Sequence, residues 1–217
     1  MRYAEGVLTH WEPTVKLYYW PKTRAFRALW MLEEIGAPYH IEHINIRAGE
    51  QGSPAFRHLN PMTKLPALED NGVHVAESGA VLLYLADKFP AAGLGATLDD
   101  PLRGRFLQWL FFTPGCLEPA MAEKMTGSPG NTFSFGWGDF DRVKQAIESA
   151  LEEGEWLLGE RFSAADLLLA GTLQIAFMAK LLEPKGRIGD YVERAVSREG
   201  HARALAVEQR ELAALKK

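Results

Sequence analysis

The chain has 217 residues, of which 47% are hydrophobic and 24% are charged, an ordinary balance for a globular protein. Its net charge of −4 lacks the basic excess of a nucleic-acid-binding protein, and no apolar run approaches the ~20 residues of a membrane-spanning helix. The single cysteine, Cys116, excludes an internal disulfide and fits a reducing compartment.

The first 90 residues mix strand and helix patterns. The opening stretch, MRYAEGVLTHWEPT, lacks the apolar segment of a signal peptide, so we expect a cytoplasmic protein with an N-terminal extension at 1–14. Alternation, β-branched residues and an Asn-Gly turn then predict the order βαβ-ββα. The predicted elements are Val15–Trp20, RAFRALWMLEEIG, Tyr39–Ile46, Leu65–Leu68, Val73–Ala76 and Ser78–Phe89.

The second half is nearly all helical in pattern. Residues 91–100, AAGLGATLDD, have the composition of a linker, and Gly127–Asp139 is a glycine-rich loop that contains aromatic residues. The predicted helices are Pro101–Met125 with a bend at Pro114 or Pro119, Phe140–Leu158, Ser163–Leu182, Gly189–Ser197 and His201–Leu215. We therefore predict an α/β domain over 1–90 and an all-α domain over 101–217.

Two motifs in NPMTKLPALEDNGVHVAESGAVLLYLADKFP, Asn60–Pro90, point to a ligand. If the Leu65-Pro66 bond is cis, the backbone of Leu65 faces solvent and can pair with an extended peptide; the alternative is a trans turn proline. Glu77-Ser78 lies between a strand and a helix, where free helix N–H groups suit a carboxylate and Glu77 suits an ammonium. The alternative there is a helix cap preceded by a surface acid.

A third motif, FSAADL, is structural. Ser163 as the N-cap and Asp166 three residues later form the pattern of a capping box at the start of a helix. Phe162 and Leu167 have the spacing of a hydrophobic staple around the same helix start.

Together, the segments NPxxKLPALxDxG, ESGAVLLYLADKFP, LYYWPKTRAFRALWMLEEIGAPY and FSAADLLLAG resemble the glutathione transferase family over most of residues 15–180. The most specific part is the combination of Leu65-Pro66, Glu77-Ser78 and the domain order. This resemblance implies a thioredoxin-like N-terminal domain, an all-helical C-terminal domain and a homodimer. It also implies glutathione as the co-substrate, without a metal.

The resemblance implies which residues hold two parts of glutathione. Glu77 and Ser78 match the positions that grip the γ-glutamyl end. Leu65, before a cis Pro66, matches the residue whose backbone pairs with the cysteinyl part.

The glycine end of glutathione is matched less well. Lys64 matches a side chain that helps to hold this end, and Gln51 takes a position that histidine often occupies in the family. Gly52 stands where lysine is common, which weakens the expected grip on the glycine carboxylate.

The resemblance requires a group that stabilises the glutathione thiolate. Cysteine thiols titrate near ~8.5, and the thiolate is the nucleophile. Lowering that pKa by ~2 needs ~2.7 kcal/mol of preference for the charged form. One hydrogen bond to a charged group supplies ~1.5–3 kcal/mol, and a helix N-terminus adds ~0.3–1 kcal/mol. One hydroxyl at the start of the first helix would therefore suffice.

Thr23 is the first candidate for this hydroxyl, because it lies between the strand and the helix where serine-type branches of the family place theirs. It would otherwise act only as a helix cap. Tyr19 is one alternative, as in the tyrosine-type branches; Tyr18 points to the opposite face of the strand. Arg24 is another, at a position where some branches have cysteine; the missing cysteine argues against glutaredoxin-like disulfide exchange.

The predicted reaction takes place between the domains. We expect Trp20, Phe112, Phe135 and Trp137 to line an apolar pocket for a small hydrophobic electrophile, although aromatic residues at helical spacing usually belong to the core. The glutathione thiolate would attack that electrophile or reduce a hydroperoxide. The alternative is a non-catalytic binding or protein-interaction module on the same fold, since fold alone does not fix function.

Overall fold

A computed structural model describes residues 15–128 and 130–215. The predicted extension at 1–14 lies outside the described residues. Within them, the chain forms four strands: β1 (Val15–Tyr19), β2 (Tyr39–His43), β3 (Ala67–Asp70) and β4 (Val73–Ala76). The described α-helices are α1 (Ala25–Ile35), α2 (Pro54–Leu59), α3 (Ser78–Lys88), α4 (Arg103–Phe112), α5 (Glu118–Thr126), α6 (Phe140–Ala150), α7 (Ala164–Met178), α8 (Gly186–Val196) and α9 (Glu199–Ala214). The predicted fold class, α/β followed by all-α, is confirmed.

The four strands form one mixed sheet in the order β2-β1-β3-β4, in which only the β1–β2 pair is parallel. In this register, Ala67 at the start of β3 pairs with Tyr18 of β1 on one side and with Ala76 of β4 on the other. The ends of β1 and β4 therefore meet the start of β3 at one edge of the sheet. Because α1 follows β1 and α3 follows β4, two helix N-termini point toward that edge.

The turns that set this register have a local explanation. Asn71 and Gly72, between β3 and β4, have φ values of 49° and 80°, the left-handed pair that a type I′ hairpin turn requires. Gly36 ends α1 with φ 72°, and its N–H donates to the carbonyl of Leu32. The turn at Asn71 and Gly72 was predicted from the same residues.

The predicted helix Pro101–Met125 is divided into α4 and α5 by a π-helical segment, Thr113–Leu117. Pro114 lies in this segment and has no N–H to donate, which explains the interruption of the α-helical ladder. Pro119 lies in the first turn of α5, where a missing N–H does no harm. The interruption of the predicted helix therefore lies at Pro114 and not at Pro119.

The helix predicted for Phe140–Leu158 ends earlier, at Ala150. The chain then folds into a tight bridge between Trp156 and Gly159. A Cβ at Gly154 would lie 2.7 Å from the Cα of Gly159, so glycine is needed for this close approach. The apolar spacing predicted a helix up to Leu158, but the chain leaves the helix after Ala150 and forms this bridge instead.

The two domains share one hydrophobic core. Helix α7 packs against α1, α3 and α4, and α9 packs against α1. The stretch predicted as a linker is attached to this core, since Leu94 and Ala96 are buried and the N–H of Ala164 donates to the Leu94 carbonyl at 2.7 Å. Among the described residues, no helix has the length and apolar character needed to cross a membrane.

The predicted capping box at the start of α7 is present. Asp166 is fully buried and accepts four hydrogen bonds, from the backbone N–H groups of Leu157 and Ser163 and from the hydroxyls of Ser163 and Tyr191. These bonds join α7 to α8 and to the turn before α7, so the motif organises the second domain.

Candidate functional site

The candidate site lies at the sheet edge where β1, β3 and β4 meet. The Leu65-Pro66 peptide bond is cis. Leu65 precedes β3, so its backbone takes no part in the described ladder pairs. Because Ala67 pairs with both Tyr18 and Ala76, Pro66 lies between the junction after β1 and Glu77 at the end of β4. Two of the predicted motifs are therefore brought together by the strand register.

A cleft of about 1250 Å³ runs from this edge into the space between the domains. Its wall in the first domain includes Lys22, Thr23, Arg24, Arg27, Gln51, Thr63, Lys64 and Leu65. Its wall in the second domain is mostly apolar and includes Gln174, Ile175, Phe177, Met178, Val192, Val196 and Leu205. Five of the predicted site residues, Thr23, Arg24, Gln51, Lys64 and Leu65, thus line one cleft, while Pro66, Glu77 and Ser78 lie outside the lining at the same sheet edge.

Thr23 lies half-buried at the start of α1 and has both of its hydrogen-bonding roles occupied. Its hydroxyl donates to the carbonyl of Trp20 at 2.7 Å and accepts from the N–H of Ala25 at 3.2 Å. The hydroxyl therefore caps the first turn while facing the cleft. A ligand acceptor could receive a hydrogen bond from this hydroxyl only if the hydroxyl stopped donating to the Trp20 carbonyl.

The two tyrosines of β1 point to opposite faces, as predicted, and neither hydroxyl is free. Tyr18 donates to Glu69 at 2.6 Å, and the fully buried Tyr19 donates to Glu208 of α9 at 3.1 Å. Burial, reinforced by Glu208, raises the pKa of Tyr19 well above its ordinary value. Tyr19 is absent from the cleft lining, so the alternative activator is placed less favourably than Thr23.

Glu77 has an unusual backbone conformation, with φ 71° and ψ 127°. Such a conformation in a residue other than glycine costs ~1–3 kcal/mol and is often found at functional sites. Its carbonyl begins the α3 ladder by accepting from Val81 at 2.9 Å, while its exposed side chain makes no capping bond. The first N–H groups of α3 are thus directed toward the edge beside Pro66.

Gln51 and Lys64 lie at the outer end of the same wall. The Oε1 atom of Gln51 is buried and has no hydrogen-bond partner in the described part of the chain. Lys64 is exposed, and its carbonyl accepts from the Asn60 side chain at 2.8 Å, which holds the loop before Pro66. Both residues line the same cleft as Thr23 and Leu65.

The four aromatic residues predicted for the substrate pocket lie elsewhere. Trp20 packs edge-on against His43, Phe112 packs on Trp109 within α4, and Phe135 and Trp137 pack on each other in the glycine-rich loop. None of the four belongs to the cleft lining formed by the described residues. Residues of α7, α8 and α9 supply the apolar wall instead, and the four rings pack outside it.

Three lining residues were not identified from the sequence. Arg27 of α1 is buried, and its Nη1 donates to Glu118 at 2.7 Å; this burial lowers its pKa. His201 of α9 packs against Phe26 and Trp30, and burial lowers its pKa as well.

The third is the buried Glu208. It accepts from the backbone N–H of Lys22 at 2.9 Å and from the Lys22 ammonium at 2.6 Å, in addition to Tyr19. It lies more than 180 residues from its partners, and only a known α9–α1 packing could have revealed it.

Cys116 lies in the π-helical segment, away from this cleft. It is half-buried against the core, and burial raises the pKa of its thiol. A raised pKa leaves little thiolate at neutral pH, which fits a packing role for Cys116.

Comparisons with known proteins agree with this arrangement. The family models for the N-terminal and C-terminal domains of glutathione S-transferases match residues 13–87 and 139–199. The disulfide-bond oxidoreductase YfcG of Escherichia coli K12 is 29% identical over 166 residues, which cover 70% of this chain and 76% of that protein.

Two solved structures are also similar. A glutathione transferase from Methylococcus capsulatus superposes with a TM-score of 0.74 at 29% identity, covering 90% of this chain and 98% of that one. One from Burkholderia graminis, with two glutathione molecules bound per subunit, superposes with a TM-score of 0.70 at 25% identity, covering 89% and 88%. The chain belongs to the glutathione S-transferase family.

Proposed function

We propose that the protein is a glutathione transferase that binds glutathione at the sheet edge and stabilises its thiolate beside Thr23. The observation on which this rests is the convergence of Thr23, the Leu65 backbone and the start of α3 on one edge. In the proposed binding mode, Glu77 and the α3 N-terminus hold the γ-glutamyl end, Leu65 pairs with the cysteinyl part, and Gln51 and Lys64 contact the glycine carboxylate.

In the proposed reaction, the thiol of bound glutathione gives its proton to solvent. The Thr23 hydroxyl turns from the Trp20 carbonyl and donates to the sulfur, and the start of α1 adds the positive end of its dipole. The sulfur electron pair then forms a bond to an electrophilic carbon, and the leaving group departs with the pair of the broken bond. The apolar wall of α7, α8 and α9 would hold the electrophile. A hydroperoxide is a further substrate class for the same thiolate.

The test is a titration of bound glutathione, followed by the ultraviolet absorbance of its thiolate. We expect the thiol pKa to fall below the ordinary ~8.5 of a cysteine thiol when glutathione is bound. A bound thiol that titrates near its free value would contradict the enzymatic proposal. Failure to bind glutathione would favour a non-catalytic interaction module.

A second candidate, glutathione-dependent disulfide exchange, is favoured by the similarity to the disulfide-bond oxidoreductase YfcG. The bound thiolate would attack one sulfur of a substrate disulfide, form a mixed disulfide and release the other sulfur as a thiolate. No protein cysteine is needed. Reduction of a model disulfide faster than conjugation of any tested electrophile would favour this candidate.

A further inference from the structure

Arg27 is a buried cation on the floor of the cleft. Its side chain is 4% exposed, and its stem passes over α7, where a Cβ at Gly171 would lie 3.5 Å from the Arg27 Cγ. Thr23 precedes it by four residues, and the turn between them is already wound, with the N–H of Phe26 donating to the Thr23 carbonyl at 3.1 Å. Residues three to four apart in a helical turn lie on the same side, and Thr23 and Arg27 both line the cleft.

The guanidinium of Arg27 is only partly satisfied. Nη1 donates to Oε1 of Glu118 at 2.7 Å, whereas Nη2 is buried and has no hydrogen-bond partner within the described residues. The same Glu118 oxygen also pairs with Nε of Arg24 at 3.4 Å. One carboxylate is thus shared by two guanidinium groups, and the cluster has a net positive charge.

An unpaired buried donor on a charged group is costly, and it is paired in most proteins. The cleft lining includes the acceptor side chains Gln174, Asp190, Glu193 and Glu208, but none of them hydrogen-bonds to Arg27 in the described part of the chain. The lining residues Ile175, Met178, Val192 and Leu205 are apolar. A ligand that enters the cleft can supply the missing acceptor and also cover this apolar wall.

We propose that Arg27 determines substrate specificity by binding an anionic oxygen group, a carboxylate above all, on an electrophile whose apolar body lies against α7, α8 and α9. This inference rests on the proposed function, since it concerns the second substrate of the same site. The planar guanidinium suits a carboxylate, and a charge-assisted bond in a dry pocket is stronger than a neutral one. The sulfur held at Thr23 would attack the reactive carbon, with the carboxylate anchored at Arg27.

The test compares two electrophiles with the same leaving group, a chlorodinitrobenzoate and the corresponding chlorodinitrobenzamide. For each, kcat/KM is divided by the uncatalysed rate constant with glutathione. We expect the wild-type protein to favour the benzoate by about tenfold to a hundredfold, and Arg27→Gln to abolish most of that preference. A loss of folded protein would lower both rates equally, so the ratio reports on the carboxylate alone.

Arg24→Gln is the matched control, because it removes a guanidinium from the same Glu118 carboxylate at an exposed position. It should retain most of the preference. If Arg27→Gln does not fold, the double variant Arg27→Gln, Glu118→Gln replaces it, because removing both partners leaves no unpaired buried charge. The loss of the benzoate-to-benzamide preference in this double variant then tests the proposal.

Three outcomes would overturn the proposal. They are a wild-type ratio near one, an unchanged ratio in the Arg27 variant, and an equal loss of preference in Arg24→Gln. If Arg27→Gln instead raises the pKa of the bound glutathione thiol without changing the ratio, Arg27 belongs to the thiolate site. The thiolate titration with glutathione alone separates these results from a failure of the proposed function.

Discussion

At the scale of single residues, hydrogen-bond partners decide which hydroxyl is available to a ligand. Tyr19 donates to the buried Glu208, and moving it toward a sulfur would remove one of the three hydrogen bonds that this carboxylate accepts. Thr23 is half-buried in the cleft lining and donates to the backbone carbonyl of Trp20. The local environment therefore favours Thr23, although both hydroxyls lie within five residues of chain.

The most perturbed carboxyl group of the second domain is Asp166. Burial raises its pKa to about 6, against an ordinary value of 3.8, and this effect outweighs the four hydrogen bonds that favour the charged form. The folded state thus binds this proton more tightly than the unfolded state. The contribution of Asp166 to stability is fully present below about pH 3.8 and is lost as pH rises through about 6, by about 3 kcal/mol in total.

This prediction is checked by following the carboxyl carbon of Asp166 by NMR during a pH titration. We expect a midpoint near 6, and a stability curve whose falling part between pH 4 and 7 is absent from Asp166→Asn. A midpoint below 4 would contradict it, because the four donors would then outweigh burial.

At the scale of elements, α9 controls the turn between β1 and α1. Lys22 in this turn has φ 62°, a conformation that is costly for lysine, and Glu208 accepts from both its backbone N–H and its ammonium. The same carboxylate holds Tyr19 at the end of β1. A helix of the second domain thus fixes the backbone immediately before Thr23.

We predict that Glu208→Ala destabilises the protein by about 1–3 kcal/mol, since it leaves the Tyr19 hydroxyl buried without an acceptor. Urea unfolding measures this loss, and in a double-mutant cycle with Tyr19→Phe the combined loss should be smaller than the sum of the two single losses. Lys22→Gln is the control, because an exposed ion pair contributes at most about 1 kcal/mol. A Glu208→Ala variant as stable as Lys22→Gln would contradict the role of α9.

At the scale of the whole molecule, the lining residues that lie in contiguous motifs of the first domain could be predicted, whereas those placed by helix packing could not. Leu65-Pro66 and Glu77-Ser78 are contiguous pairs whose backbone chemistry is visible in the sequence, and strand register brings them together. The contacts of Arg27 and Glu208 depend on helix packing, which the sequence pattern does not show. The four aromatic residues expected in the pocket lie outside the described cleft lining, because apolar character alone does not reveal which elements face the cleft.

The central claim is that the Thr23 hydroxyl stabilises the thiolate of bound glutathione. The most direct measurement is the pKa of that bound thiol, from thiolate absorbance, in the wild type, Thr23→Ser and Thr23→Val. Serine keeps the hydroxyl, so its value should match the wild type. Valine keeps the shape and removes the donor, which should raise the thiol pKa by about one to two. An unchanged thiol pKa in Thr23→Val would contradict the claim and transfer the role to Tyr19 or Arg24.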